Sequence, residues 1–333
     1  MKFVNIGIVG CGNVARIHAQ AVIDSEVGIL RGVADGSYDR AAGFAAEFGT
    51  TAYRTVEEML ADPLVDAVCI CTPSGYHASC AIDAMKAGKH VLVEKPIAMN
   101  TAECDEMIAL RDKMNLTAGA ICQYRFTDVI QVAKKLIDDD KLGKIITVNL
   151  SMCYHRTAEY YRSSPWRGTW ALDGGSIMNQ GIHGVDALLY LLGDVDQVYS
   201  ICRTLHHEIE AEDTTVATVA FKSGALGVIQ CTTAVQPGYP RLMTIAGTKG
   251  SLQIQEEMLR SCDVEGCDEL EKQLSRSANN GYNQPMDIGI RGHVLQINDF
   301  IDAIRTHTQP AVSLEDARRT IQLINRLYEN YTQ

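Results

Sequence analysis

From Asn5 to about Cys122 the hydrophobic positions fall in short unbroken runs. "NIGIVG", "GILRGVAD", "AVCICTP", "HVLVEKP" and "TAGAICQYRF" lack strict alternation, which predicts strands covered on both faces. Helical segments between them start near Asn13, Ser37, Thr55, Tyr76 and Thr101. Thr101, followed by Ala102, Glu103 and Cys104, is read as an N-cap, and Gly88 after "AIDAMKA" as a helix stop. This alternation predicts a doubly wound, parallel Rossmann sheet with right-handed crossovers.

The pattern then changes. A helix around Asp128 to Asp140 precedes longer strand candidates between Lys144 and about Gln255: "KIITVNLSMCYH", "DQVYSICRTL", "TTVATVAF", "ALGVIQCTTA", "RLMTIAG" and "GSLQIQ". "KSG" and "GTKG" read as hairpin turns between them, and one helix over Ser176 to Leu192 interrupts the series. An α+β domain with an open, mostly antiparallel sheet is expected, giving domains at 1–122 and 123–333. The polar segment from Glu256 to about Gln284 is read as a loop. "VLQINDFIDAIRTH" and "LEDARRTIQLINRLYENY" are amphipathic helices.

Composition narrows the function classes. Thirty Lys and Arg against 41 Asp and Glu give a net charge of −11, and no basic cluster stands out, which argues against nucleic acid or an anionic membrane as partner. No apolar run approaches the ~20 residues that span a bilayer. "MKFVNIGIVG" moves straight into a strand, without the features of a secretory signal, so a cytoplasmic location is expected. Eleven cysteines, an odd number, several inside apolar runs, read as buried free thiols. Cys262 and Cys267 come nearest to metal-ligand spacing, but no second Cys or His pair answers them, and no metal is expected.

"GIVGCGNVARIHA" places Gly10, Gly12 and Ala15 at dinucleotide-fingerprint spacing after a strand and at the opening of a helix. Gly10 makes the tight turn, Gly12 lets the backbone approach a pyrophosphate, and Ala15 permits close helix packing. The loop residues Cys11, Asn13 and Val14 belong to the same cradle. Asp35 ends the second strand 23 residues (35 minus 12) past Gly12, where a carboxylate bonds ribose hydroxyls and repels a 2′-phosphate. NAD is therefore favoured over NADP. His18 is read as a packing residue of the first helix.

In "GGSIMNQGIHGVDALLYLLG", Asn179, His183 and Asp186 share one face of an otherwise apolar helix, and buried polar side chains need partners. A core histidine held by Asp186 satisfies that pattern equally well. Lys95 weighs against the purely structural reading, because it follows a strand of the nucleotide domain in "HVLVEKP". Taking hydride from a secondary alcohol also requires that the hydroxyl proton leave. His183 suits the base at neutral pH, and Lys95 as a cation stabilises developing alkoxide charge.

These residues resemble the Gfo/Idh/MocA oxidoreductases across essentially the whole chain. "GIVGCGNVA", "CTPSGYH", "EKP" and "GGSIMNQGIHGVD" are similar to the family's cofactor loop, nicotinamide-side turn, lysine motif and second-domain signature; "SPWRGTW" and "LMTIAGTKGSL" also match. The resemblance implies that Lys95 and His183 carry catalysis, that Thr72, Pro73, His77, Glu94 and Gln123 lie by the cofactor, and that Trp166 and Arg167 lie near nicotinamide and substrate. Asn179 departs from the aspartate of inositol-dehydrogenase-like members. Asparagine orients a hydroxyl but does not raise a neighbouring pKa through charge, which leaves Asp186 as the substitute and points to a glucose-type pyranose derivative.

The segment "YHRTAEYYRSSPWRGTW" concentrates Tyr154, Arg156, Trp166 and Arg167, suited to a sugar ring with its hydroxyl, carboxylate or phosphate groups, or equally to an oligomer contact. The family buries its open sheet in dimers or tetramers, so a homodimer or homotetramer is expected. Two alternatives use the same fold: a redox-neutral glycosidase or lyase that oxidises only transiently, and a sensor of nucleotide and sugar without chemistry. Retention of Lys95 and His183 disfavours the sensor.

Overall fold

In the computed structural model, residues 3–267, 272–274, 289–329 and 331 are described. Two compact units emerge, Met1–Gln123 with Ile290–Ile321, and Tyr124–Gly289 with Gln322–Gln333. The main segment of the first unit ends at Gln123. The return of residues 290–321 to the first unit does not follow the expected division at 122/123, because an amphipathic helix declares its buried face but not what covers it.

The first unit is built on a parallel sheet in the order β3-β2-β1-β4-β5-β6, from β1 (Val4–Val9), β2 (Gly28–Ala34), β3 (Thr51–Ala52), β4 (Ala67–Ile70), β5 (His90–Val93) and β6 (Ala118–Ala120). Every residue of β4 is buried, as continuous apolar runs require. The helices are α1 (Asn13–Ile23), α2 (Tyr38–Phe48), α3 (Val56–Ala61), α4 (His77–Lys86) and α5 (Thr101–Met114). The cap of α5 is Asn100, whose side chain accepts from the Glu103 amide, so the expected cap at Thr101 shifts by one residue. Helix α9 (Arg291–Thr306) buries Ile297, Phe300 and Ile301 in the core with Ala15, Ala19 and Val22 of α1. The following segment pairs with the sheet edge, where the Ala120 amide donates to the Val312 carbonyl.

The second unit carries a seven-stranded sheet in the order β13-β12-β11-β7-β10-β9-β8. Its strands are β7 (Ile145–Cys153), β8 (Val195–Arg203), β9 (Thr214–Phe221), β10 (Leu226–Thr232), β11 (Leu242–Gly247), β12 (Ser251–Gln255) and β13 (Met258–Asp263). Only the β7–β10 neighbours run parallel. Helices α6 (Asp128–Asp138), α7 (Ala158–Arg162) and α8 (Ile182–Leu192) also belong here, and α10 (Leu314–Tyr328) brings in Tyr328. Gly184 lets α8 lie directly on the sheet, since a Cβ there would meet the Met152 sulfur at 2.5 Å.

Alternation in β7, β9 and β10 buries Leu150, Met152, Ala217, Val219, Ile229 and Cys231 on one face. On the other, Tyr199, Ile201, Val216, Leu226 and Val228 are exposed, with Ile201 directly opposite Val216. Two expectations for residues 256–284 need correction. Met258–Asp263 pairs with β12 as an edge strand, its alternation too short to stand out in a polar stretch. Cys262 and Cys267 form a disulfide, their Cα atoms 6.1 Å apart, rather than two free thiols, because the chain folds back just after β13. The rest of that expected loop, 268–271 and 275–284, lies outside the described residues. Among those residues no helix is long and apolar enough to cross a membrane.

Candidate functional site

Gly10 ends β1 with φ +94°, and a side chain there would strike the Cys71 carbonyl at 2.7 Å. Gly12, just before α1, has open space where a Cβ would stand, so a ligand can approach its backbone. The first turn of α1, Asn13, Val14 and Ala15, has no acidic residue and no side-chain cap, which suits an anion at its amides. Asp35 accepts from the amides of Cys11 at 2.9 Å and Ser37 at 2.8 Å, and the exposed Arg40 lies 3.1 Å from it. This loop with its carboxylate fits a dinucleotide. The Cys11 thiol is pushed up to about 12, by burial first and then by Asp35, and serves as packing.

Strands β4 and β5 end side by side, with Ile70 opposite Val93. The turns beyond them are therefore neighbours. Thr72 and Pro73 lead into a 3-10 turn, Ser74–Tyr76, and His77 opens α4. The His77 ring lies between the Thr72 carbonyl, 2.8 Å from Nε2, and the Pro96 carbonyl, 2.6 Å from Nδ1, bracing the two turns. Burial pulls its pKa down against these carbonyls. Gln123 opens a further 3-10 turn, Gln123–Phe126, just beyond β6.

Lys95 emerges past β5 and is half-buried, and the Lys95–Pro96 peptide is cis. Its neighbour Glu94 is buried. One Glu94 oxygen lies 2.8 Å from His18 Nε2, and the other accepts the Lys95 backbone amide at 3.1 Å. Burial would raise the Glu94 pKa, but the hydrogen bond and charge of His18 outweigh it and bring the value down to about 2. His18, expected only to pack, is thus an ion-pair partner across 76 residues of chain. Its position on the inner face of α1 gave no sign of that.

In the second unit the expected helix over Ser176–Leu192 divides. Ile177–Gly181 is a π-helical turn, and the α-helix begins at Ile182. Gly174, at φ +74°, and Gly175 lead into it; a Cβ on Gly175 would collide with Glu212. The buried Glu212 carboxylate accepts from Ser176 Oγ at 2.6 Å, the Ile177 amide at 2.9 Å and the Tyr328 hydroxyl at 3.1 Å. Desolvation outweighs these neutral donors and pushes Glu212 up to about 7.

Asn179, Gln180 and His183 are only half-buried on a segment whose other side chains lie mostly inside. They form its accessible stripe. Asp186, expected beside them as a substrate ligand, is instead buried, and both its oxygens receive the Arg125 guanidinium at 2.7 Å. Asn179 Nδ2 donates to Asp173, and Gln180 Nε2 donates both to Asn179 Oδ1 and to the Tyr160 hydroxyl. Arg156, buried below Tyr154, donates to Gln180 Oε1 at 2.7 Å. The Arg167 guanidinium lies 4.1 Å from the Tyr160 ring centroid and 4.6 Å from that of Trp166. One network therefore joins Arg156, Asn179, Gln180, Tyr160 and Arg167. Sequence reading did not single out Gln180, Tyr160 or Glu212; Gln180 had a signal in lying between Asn179 and His183, and Tyr160 in lying within the aromatic and basic segment 154–170.

Family comparison matches residues 4–120 to an oxidoreductase family with an NAD-binding Rossmann fold, and residues 130–253 to a GFO/IDH/MocA C-terminal domain. The chain is similar to myo-inositol 2-dehydrogenase of Thermotoga maritima, 28% identical over 96% of this chain and 93% of the other. A scyllo-inositol 2-dehydrogenase (NAD(+)) of Bacillus subtilis is 30% identical over 75% of this chain and 73% of its own. Among solved structures, the WlbA dehydrogenase from Bordetella pertussis, in complex with NADH and UDP-GlcNAcA, superposes with a TM-score of 0.90 at 28% identity, covering 99% of this chain and 95% of that one.

Proposed function

Because the chain belongs to the Gfo/Idh/MocA family of NAD-binding oxidoreductases, we propose that it moves hydride between nicotinamide and a secondary ring hydroxyl, or the corresponding ketone, of a sugar, glycoside or sugar nucleotide. Bound NAD supplies the hydride acceptor. The protein's own work is to orient the alcohol, stabilise charge on its oxygen and take its proton. Lys95 stabilises the oxygen and His183 receives the proton.

One observation carries the substrate reading: within the accessible stripe of Asn179, Gln180 and His183, Gln180 accepts from Arg156 and donates to Tyr160 and to Asn179, with Arg167 stacked on the Tyr160 ring. Amide, guanidinium and aromatic groups together suit a polyhydroxylated ring. The names of the relatives, inositol dehydrogenases and a dehydrogenase solved with a sugar nucleotide, support the same class. Asparagine at 179 favours a pyranose derivative over an inositol.

The exposed apolar face of the second sheet supports self-association as a homodimer or homotetramer, since each Leu- or Ile-sized side chain buried there would contribute roughly 1.5–3 kcal/mol. A screen of pyranosides, sugar nucleotides and inositols with NAD, read by nicotinamide reduction, tests the function. Reduction with one of these classes is expected. Sugar turnover without any NADH release would replace net oxidation by the transient kind.

A further inference from the structure

Three side chains distant in sequence meet behind Lys95. His18 comes from α1, Glu94 from the end of β5 and His293 from α9, and all three are buried. The rings of His18 and His293 meet edge to face with centroids 5.6 Å apart. Each of the three offers an atom within 4.8 Å of the others, so their chemistry admits either a shared proton or a bound cation.

The distances favour the proton. His18 Nε2 and Glu94 Oε1 lie 2.8 Å apart, ordinary for a charge-assisted hydrogen bond. A tetrahedral ion with bonds of about 2.0 Å would spread the two atoms to about 3.3 Å. The remaining Glu94 oxygen accepts from the backbone amide of Lys95 at 3.1 Å. A single carboxylate thus joins α1 to the chain atom that carries the lysine.

We propose that His18 and Glu94 act as a positioning pair, which fixes the Lys95 backbone at the end of β5 and so sets where its ammonium group is presented. The proposal rests on the reading of Lys95 as a group of the reaction. Its physical content is the rigidity of the arrangement. A carboxylate in contact with solvent would exchange its partners, whereas Glu94 is screened from water and keeps both of its own. His293 closes the cluster from α9, against the inner edge of the His18 ring. The cost of losing the geometry is expected to be about 100-fold in turnover, as for other displacements of roughly 1 Å at a reacting centre.

The groups facing the pair are Cys69 from β4, Cys71 just beyond it, His293 from α9, and Lys95 itself. Burial disfavours the His18 imidazolium, and Cys71, Cys69 and Glu94 outweigh that effect to raise its pKa well above the usual value. The positive ring keeps Glu94 ionised without leaving an uncompensated charge behind the lysine.

The test needs no known substrate. Lys95 in the full chain is acetylated with a water-soluble succinimidyl ester, and its rate relative to exposed Lys135 is read by peptide mass spectrometry. His18→Ala and Glu94→Ala are each expected to move that ratio at least about fivefold, with the double variant no further than either single one, because the two residues act as a unit. His18→Gln keeps a donor toward Glu94 and should stay within about twofold. NADH binding by His18→Ala, followed by nicotinamide fluorescence, should change far less than the labelling ratio. Folded alanine variants with an unmoved ratio would overturn the proposal.

Hydrogen exchange on the unmutated protein guards against variants that do not fold: the Lys95 amide should be protected, and rapid exchange there would also overturn it. So would one tightly held equivalent of zinc in the purified protein. Lys95→Met separates this inference from the underlying reading. If that variant keeps full turnover on a sugar found by the screen, the lysine's catalytic role falls and the positioning role falls with it. If it is inactive while the alanine variants label normally, only the positioning role falls.

Discussion

Glu94 and Glu212 are both buried carboxylates that accept from backbone amides, Glu94 at Lys95 and Glu212 at the start of the π-helical turn that precedes His183, yet their pKa values move in opposite directions. Glu94 faces the His18 ring and is held down at about 2. Glu212 faces neutral donors among the described residues, Ser176, Ile177 and Tyr328, and is pushed up to about 7. Burial raises both. The difference teaches that the charge of the partner, rather than the number of hydrogen bonds, decides whether a buried acid stays ionised. In the first unit the brace is an ion pair, and in the second it is a set of dipoles that tolerates a proton.

The largest expected effect asks whether the braced side chains matter at all. Lys95→Met should lower turnover by about a thousandfold or more, while NADH binding stays within a few-fold, because the lysine stabilises developing charge rather than the cofactor. Steady-state rates on the best sugar from the screen and a fluorescence titration check it. Next comes the ion pair. Removing one partner of a buried pair costs about 3–5 kcal/mol, so Glu94→Gln should be clearly destabilised at pH 7. The depressed carboxylate contributes fully above its unfolded value, about 4.5, and loses the contribution as pH falls toward about 2. The raised imidazole contributes fully below about 6.5 and loses it only above that. The defect of Glu94→Gln should therefore shrink on acidification below pH 4.5; a defect unchanged down to pH 2.5 in urea melts would break the contrast.

Glu212 should behave the other way. Its folded pKa lies above the unfolded 4.5, so its contribution is full below that value and is lost as pH rises through about 7, on the order of 3 kcal/mol at most. Glu212→Gln removes the ionisation while its oxygen can still accept from the Ile177 amide. The variant should match the parent at pH 5 and exceed it in Tm at pH 8. Parallel Tm curves across that range would show that Glu212 does not titrate with unfolding.

These contrasts also mark what could be read in the sequence. Most of the strands, the glycine loop, Lys95 beyond β5, and Asn179 with His183 on one apolar helical segment were legible in local pattern, because each is set by residues within a few positions of one another; Asp35 was legible through the fingerprint's fixed spacing. The braces did not. His18 and Glu94 meet across 76 residues, and Glu212 reaches the π-helical turn from 35 and 36 residues away. Apolar periodicity did not distinguish that turn from ordinary α-helix, since Ile177, Met178 and Ile182 are buried in either. Helical spacing put Asp186 on the face of Asn179 and His183, but spacing carries no information about Arg125, whose guanidinium pairs with it in the core.

A third carboxylate sharpens the comparison at the smallest scale. Asp35 is bonded to the amides of Cys11 and Ser37, like Glu212 to its donors, but it also lies 3.1 Å from a guanidinium, like Glu94 beside its imidazole, and it is less completely buried than either. Arg40 is largely exposed, so solvent weakens that pairing. Asp35→Asn keeps an acceptor for one of the amides and removes the negative charge that a 2′-phosphate would meet. It also leaves Arg40 able to turn toward such a phosphate. Affinity for NADP relative to NAD should then rise by about tenfold, equivalent to about 1.4 kcal/mol, while NAD itself binds somewhat less tightly for want of the charged acceptor to its ribose hydroxyls. Adding Arg40→Ala to the asparagine variant should return most of that gain. If the two cofactors keep their original ratio in both variants, a carboxylate held by backbone amides at the rim does not discriminate by charge, and the principle drawn from Glu94 and Glu212 is confined to the interior.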